Sequence, residues 1–348
     1  MGALAVAGIV ILGLGLAGAA YQAVGLARDA RRFSPPGRLV DVGGRRLHAV
    51  TAGRGTPTVV LEAAIAASSL SWARVQPLVA RDTSVCAYDR AGLAWSDPPA
   101  ATRTFARMVD DLEACLRALP CVAPYVLVGH SFGVFMCLTF ATRHPDRVAG
   151  LVLVDPPSEW MHLDRRRLRM LRGGVLLSRI GGVLARVGIV RACLTLLTGG
   201  APAAPRYFVK IFGPTTAATV ERLVGEVRKL PPESHPVVQA LWCRPKCFEA
   251  MAEHIRVLPD ATASAAALAS LGELPLIVIS SGDQTPDVRA AHEKLAKMSA
   301  RGRVVLASKS GHWVPYDEPE LIVDAIREIV EHFRAQGAHD ATDQNLAG

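Results

Sequence analysis

Residues 125–133 read Tyr-Val-Leu-Val-Gly-His-Ser-Phe-Gly, and the residues that follow, through 142, keep a helical spacing of apolar side chains. A short apolar run bounded by glycine is what a strand buried on both faces requires. Here it passes straight into Gly129-x-Ser131-x-Gly133 and then into a helix. A serine so placed sits on a tight strand-to-helix turn that projects its hydroxyl clear of the backbone. Glycines two residues to either side let neighbouring segments approach. The helix starting just after Ser131 aims its positive dipole end at any oxyanion formed there. Ser131 is therefore the candidate nucleophile, against the plainer reading of a glycine-rich turn with a helix-capping serine.

Working outward, residues 39–42 and 46–51 flank a turn at Gly43-Gly44 and read as an antiparallel hairpin. Residues 58–62 and 84–88 are short apolar runs read as buried strands, with a helix near 72–80 between them. Residues 105–119 carry a helical period with Asp110, Asp111 and Glu113 on the polar side, and 151–154 form another strand. Strands alternating with helices of this length imply a doubly wound, mostly parallel α/β sheet. The alternation stops at Pro156 and resumes with a strand at 276–280, a helix near 287–298, a strand at 303–307 and a final helix over 318–333. The expected organisation is a core over 38–155 and 272–335, with a helical cap over 156–271 above the carboxyl edge of the sheet. A frayed tail over 336–348 follows from its small, polar composition.

Residues 1–27 carry no charged side chain, and Arg28, Arg31 and Arg32 follow directly. Such a stretch is long enough to span a hydrocarbon core of about 30 Å at about 1.5 Å per residue. We expect a single-pass transmembrane anchor over 1–27 and a linker over 28–37. The basic flank favours a catalytic domain on the cytoplasmic side. The alternative is a secretory signal cleaved at Ala17-Gly18-Ala19, which the missing basic n-region argues against.

The net charge of +8 comes with an aromatic content of only 5%, and the basic residues do not form a groove with interleaved aromatics. The balance reads as a membrane-surface preference, not as nucleic-acid binding. Seven cysteines at irregular spacing give no disulfide framework. Cys86 and Cys137 fall where small buried hydrophobes are needed, and Cys243-x-x-x-Cys247 lacks a second ligand pair for zinc. No metal or organic cofactor is implied.

Gly129-His-Ser-Phe-Gly133, the segment from Tyr88 to Asp97 (Tyr-Asp-Arg-Ala-Gly-Leu-Ala-Trp-Ser-Asp), Leu151-Val-Leu-Val-Asp155 and Ser310-Gly-His312 together resemble the α/β-hydrolase superfamily. The resemblance covers residues 38–155 and 274–335. It implies a serine hydrolase with His312 as the general base, in the chain order nucleophile, acid, histidine. It leaves the acid open. The usual acid lies three residues past a glycine closing the strand at 276–280, and Thr285 holds that place after Gly282. Asp283 is near enough to substitute, and Asp155, at the end of the earlier strand, is the rival. The oxyanion hole is expected from the backbone N–H of Phe132 and from Ala64 or Ile65 after the strand at 58–62. Alanines at 63, 64, 66, 67 and 94, and Val134, stand where relatives often carry glycine. Alanine disfavours positive φ, and this leaves a catalytically impaired binding protein as the alternative function. A serine instead of an aspartate at the elbow speaks against dehalogenase or epoxide-hydrolase chemistry. The expected substrate is a small-molecule ester or acyl compound. From Arg165 to Arg191 there are eight arginines and no acid, and Arg172, Arg179 and Arg186 share a helix face. That pattern fits a cap lying on anionic lipid or covering a lipophilic pocket.

Overall fold

Eight strands pair into one sheet in the order β1-β2-β4-β3-β5-β6-β7-β8. They are β1 (Arg38–Asp41), β2 (Arg46–Ala52), β3 (Thr58–Glu62), β4 (Val85–Tyr88), β5 (Tyr125–His130), β6 (Val148–Val154), β7 (Leu276–Ser281) and β8 (Gly302–Ala307). The β1–β2 and β2–β4 pairs are antiparallel and every other pair is parallel. The computed structural model describes residues 2–99, 103–157, 163–198 and 229–346.

Burial on both faces explains the unbroken apolar strands. Along β5, Tyr125 and Leu127 enter one cluster while Val126 and Val128 enter the other. Side chains alternate across a strand, so each face needs its own cover. The first face is covered by α3 (Phe105–Ala118) and α4 (Phe132–Arg143). The opposite face is covered by α2 (Gln76–Val79) and α12 (Pro319–Leu346). The helix expected near 72–80 is a 3-10 turn, Ser69–Trp72, followed by the short α2, since Pro77 lacks an N–H and is tolerated only in a first turn. The last helix takes in residues 336–346, most of the expected tail.

Between β6 and β7 lie α5 (Arg165–Arg186), α6 (Ile189–Thr198), α7 (His235–Trp242), α8 (Pro245–Arg256) and α9 (Leu258–Ala266). Residues 158–162 and 199–228 of the expected cap lie outside the described residues. The last of these helices is not a cap element. Val257, Ala261 and Ala265 join the core cluster beside α4, so this stretch supplies the crossover to β7. The remaining helices are α10 (Pro286–Ala296), after β7, and α11 (Val314–Asp317), after β8.

At the N-terminus α1 (Ala3–Arg32) is one unbroken helix, long and apolar enough to cross a membrane. The expected linker from residue 28 is therefore a correction: the helix continues to Arg32, with Arg31 and Arg32 favourably placed at its negative dipole end. Pro35 and Pro36 follow, where a helix cannot continue.

Candidate active site

β5 ends at His130 and α4 begins at Phe132, so Ser131 alone makes the turn, with φ 52° and ψ −116°. Its N–H donates to the Val154 carbonyl at 3.0 Å, pinning the elbow to the end of β6. The flanking glycines are required by contact. A Cβ at Gly129 would lie 2.6 Å from the Gly133 carbonyl oxygen, and one at Gly133 would lie 2.4 Å from the Glu62 carbonyl oxygen. The elbow thus rests against the loop leaving β3.

Asp155 is the first residue past β6, with φ 42° and a side chain only 1% exposed. It accepts from the Ser281 N–H at 3.1 Å and from Gln284 Nε2, 2.9 Å from each carboxylate oxygen. His312 Nδ1 lies 2.7 Å from Asp155 Oδ2. Burial pushes the Asp155 carboxyl up, but the bonds from His312, Ser281 and Gln284 and the His312 charge outweigh it and hold the group below the usual carboxylate range. His312 stands in the loop between β8 and α11, with a quarter of its side chain exposed. Its carbonyl accepts from His130 Nε2 at 2.7 Å. Burial, reinforced by the charge of His312, pushes His130 down to about 3, so its ring is neutral and serves as a fixed donor. Residue 312 is therefore gripped from both sides of the elbow, by His130 through its backbone and by Asp155 through its ring.

Ser131, Asp155 and His312 thus gather at the carboxyl edge of β5, β6 and β8, where open α/β sheets place their ligands. Asp283 does not join them. Its Oδ1 accepts from the Ser281 hydroxyl at 2.8 Å, and the ring of His312 is bonded to Asp155 instead. Gln284 was not singled out by sequence reasoning, since a lone glutamine in a loop carries no signal of its own.

The loop after β3 holds the second expected N–H. Ala64 is buried, Ile65 partly so, and Ala66 takes φ 55°. Ala94 likewise takes φ 38°, whereas Val134 is an ordinary helical residue. Alanine therefore occupies two left-handed positions, Ala66 in the loop after β3 and Ala94 in the segment after β4. What fixes the loop is Arg90, which donates to the Ala63 carbonyl at 2.7 Å, to the Ala64 carbonyl and to Glu62 at 2.9 Å. Tyr88 donates to the other Glu62 oxygen at 2.5 Å. Burial holds the Glu62 carboxyl above its usual range despite Arg90. The guanidinium also lies 5.1 Å over the Phe132 ring. Sequence reasoning quoted Arg90 within a motif but gave it no task. Above the loop is a small recess of mixed polar and apolar lining, walled by Ala66, Ser68, Ala94, Leu241 and Trp242 among others. Among the described residues no group of three or more His, Cys, Asp or Glu is placed to hold a metal ion.

Residues 57–173 match the model of the alpha/beta hydrolase fold family. An uncharacterised protein of Bacillus subtilis is 32% identical over 126 residues, covering 33% of this chain and 50% of that one. A fluoroacetate dehalogenase of a Burkholderia species is 33% identical over 123 residues, 34% of this chain and 40% of that one. These matches span half or less of either relative's length. The crystal structure of a haloalkane dehalogenase from Bradyrhizobium elkani superposes with a TM-score of 0.63 at 21% identity, over 86% of this chain and 98% of its own.

Proposed function

We infer, from the premise that this chain is an α/β-hydrolase superfamily protein, that it is a serine hydrolase. Its proposed substrates are esters, lipophilic acyl esters among them, cleaved through an acyl-enzyme on Ser131. The observation that carries the reading is the 2.7 Å contact between Asp155 and His312 beside a serine held at positive φ. With Nδ1–H donated to the carboxylate, the free Nε2 of His312 takes the Ser131 proton as Oγ attacks the substrate carbonyl. The same proton then goes to the departing alkoxide, and water repeats the sequence on the acyl-enzyme. Asp155 holds the tautomer and offsets the charge that develops on the imidazole. The N–H groups of Phe132 and of Ala64 or Ile65 stabilise the oxyanion.

The same reading makes α1 a single-pass membrane anchor with the hydrolase domain cytoplasmic. The packing of Gly18 and Gln22 against the cap favours a retained helix over a cleaved signal, because cleavage near Ala19 would remove part of that contact.

Labelling the folded full-length protein with a fluorophosphonate, beside Ser131→Ala, tests the hydrolase. An adduct on Ser131 that the variant lacks is the expected result. No adduct on folded protein would leave a non-catalytic binding protein of the same fold.

A further inference from the structure

The cap helix α5 is amphipathic in the reverse sense. Ser178, Gly182 and Ala185 face inward, and the small residues let α5 lie close on α8: a Cβ at Gly181 would sit 2.5 Å from the Phe248 ring. The large apolar side chains point the other way, with Leu176 61%, Ile180 45% and Val183 57% exposed. At about 3.6 residues per turn these three share one face. Arg172, Arg179 and Arg186, seven residues apart, run along one border of that face, all exposed, with Arg186 paired to Glu249 of α8. A soluble helix has its apolar stripe on the core side. Apolar residues facing out beside a cationic border are what a helix lying in a bilayer interface presents.

This face does not stand alone. The chain turns 89° at Val187–Gly188, where α5 gives way to α6, and this corner is clasped to α1. A Cβ at Gly18 would lie 2.3 Å from the Val187 carbonyl oxygen, and one at Gly188 would lie 2.7 Å from the Gly18 carbonyl oxygen. Arg191 donates to Gln22 at 2.9 Å and pairs with Asp29 at 2.7 Å, while Gln22 donates to the Cys243 carbonyl at 2.7 Å. The uncharged stretch of α1 runs on past Gly18 to Ala27, about 15 Å of helix at about 1.5 Å per residue. The corner thus sits level with the apolar part of α1, not with the arginines that close it. With α1 in a bilayer, this clasp brings the edge of the cap carrying α5 against the membrane.

We propose that the outer face of α5, Leu176, Ile180 and Val183 bordered by Arg172, Arg179 and Arg186, is a second membrane-binding surface that lies in the headgroup region of an anionic bilayer. The clasp to α1 holds the cap at the surface from which a lipophilic ester would arrive. The inference rests on α1 as an anchor and is independent of the chemistry at Ser131.

The test uses full-length protein in phosphatidylglycerol–phosphatidylcholine vesicles, with Cys121→Ala and Cys193→Ala removing the two half-buried thiols. An environment-sensitive fluorophore is attached at Ile180→Cys, at Leu12→Cys in α1, or at Glu273→Cys on the opposite edge of the sheet. The inference expects brominated lipid to quench most of the emission at positions 180 and 12 and none at 273. Quenching at 12 without quenching at 180 would overturn it and leave the anchor standing. No quenching at either would overturn both. In Arg172→Gln/Arg179→Gln, quenching at 180 falls in phosphatidylglycerol vesicles; unchanged quenching would remove the arginines from the surface.

Discussion

Asp155 Oδ2 lies 2.7 Å from His312 Nδ1 although the two residues are 157 positions apart, one at the end of β6 and the other past β8. This contact, and not the nearer-in-sequence Asp283, selects the carboxylate. Asp155→Asn would leave the packing intact but hold the ring in the wrong tautomer. Turnover of a cleaved ester should fall by roughly 10³- to 10⁴-fold. Asp283→Asn should leave turnover close to that of the parent, and steady-state kinetics on both variants decides the matter.

Gly133 has no room for a side chain. A Cβ there meets the backbone of Glu62 and Ala63, neither of which is a flexible side-chain end. Gly133→Ala should therefore cost about 1–3 kcal/mol in urea unfolding, the usual range for overpacking. It should also abolish fluorophosphonate labelling, because the elbow and the oxyanion loop move together.

Arg90 neutralises Glu62, a carboxylate only 1% exposed. Taking away one partner of such a pair costs about 3–5 kcal/mol. In Arg90→Met the Glu62 carboxyl, already raised by burial, should rise further. A raised folded-state value means stability is greatest in acid and is lost as pH climbs from about 4 through that value. Urea midpoints measured between about pH 4 and about pH 7 should therefore decline in this variant more steeply than in the parent.

Ala66 holds φ 55°, a conformation that costs an L-residue about 1–2 kcal/mol. Ala66→Gly removes that strain and gives back part of the gain through a more flexible unfolded chain. A net stabilisation of up to about 1 kcal/mol is expected by thermal unfolding. A lower melting temperature would mean that the methyl group packs in the loop and outweighs the strain.

Much of the fold is local and was legible. Strand β3 occupies residues 58–62 as read, and β5 with α4 forms around Ser131 as its glycines demand. An apolar run flanked by glycine carries its own instruction, because burial on two faces and a close backbone approach leave few other residues possible. His312 was implied by the resemblance of Ser310-Gly-His312 to the family's motif, in the chain order nucleophile, acid, histidine. Choosing between Asp155 and Asp283 was beyond the sequence, since each follows a strand that ends at the carboxyl edge and only the folded loops decide which oxygen meets the ring. The roles of Arg90 and Gln284 were hidden for the same reason: each is defined by carbonyls or carboxylates distant in the chain. The sequence by itself determined the elbow, the sheet and an apolar first helix. Tertiary structure alone decided which carboxylate meets His312, that an arginine ties down the alanine loop, and that α1 is clasped to the cap. Those outcomes depend on which atoms, distant in the chain, the folded sheet brings within about 3 Å.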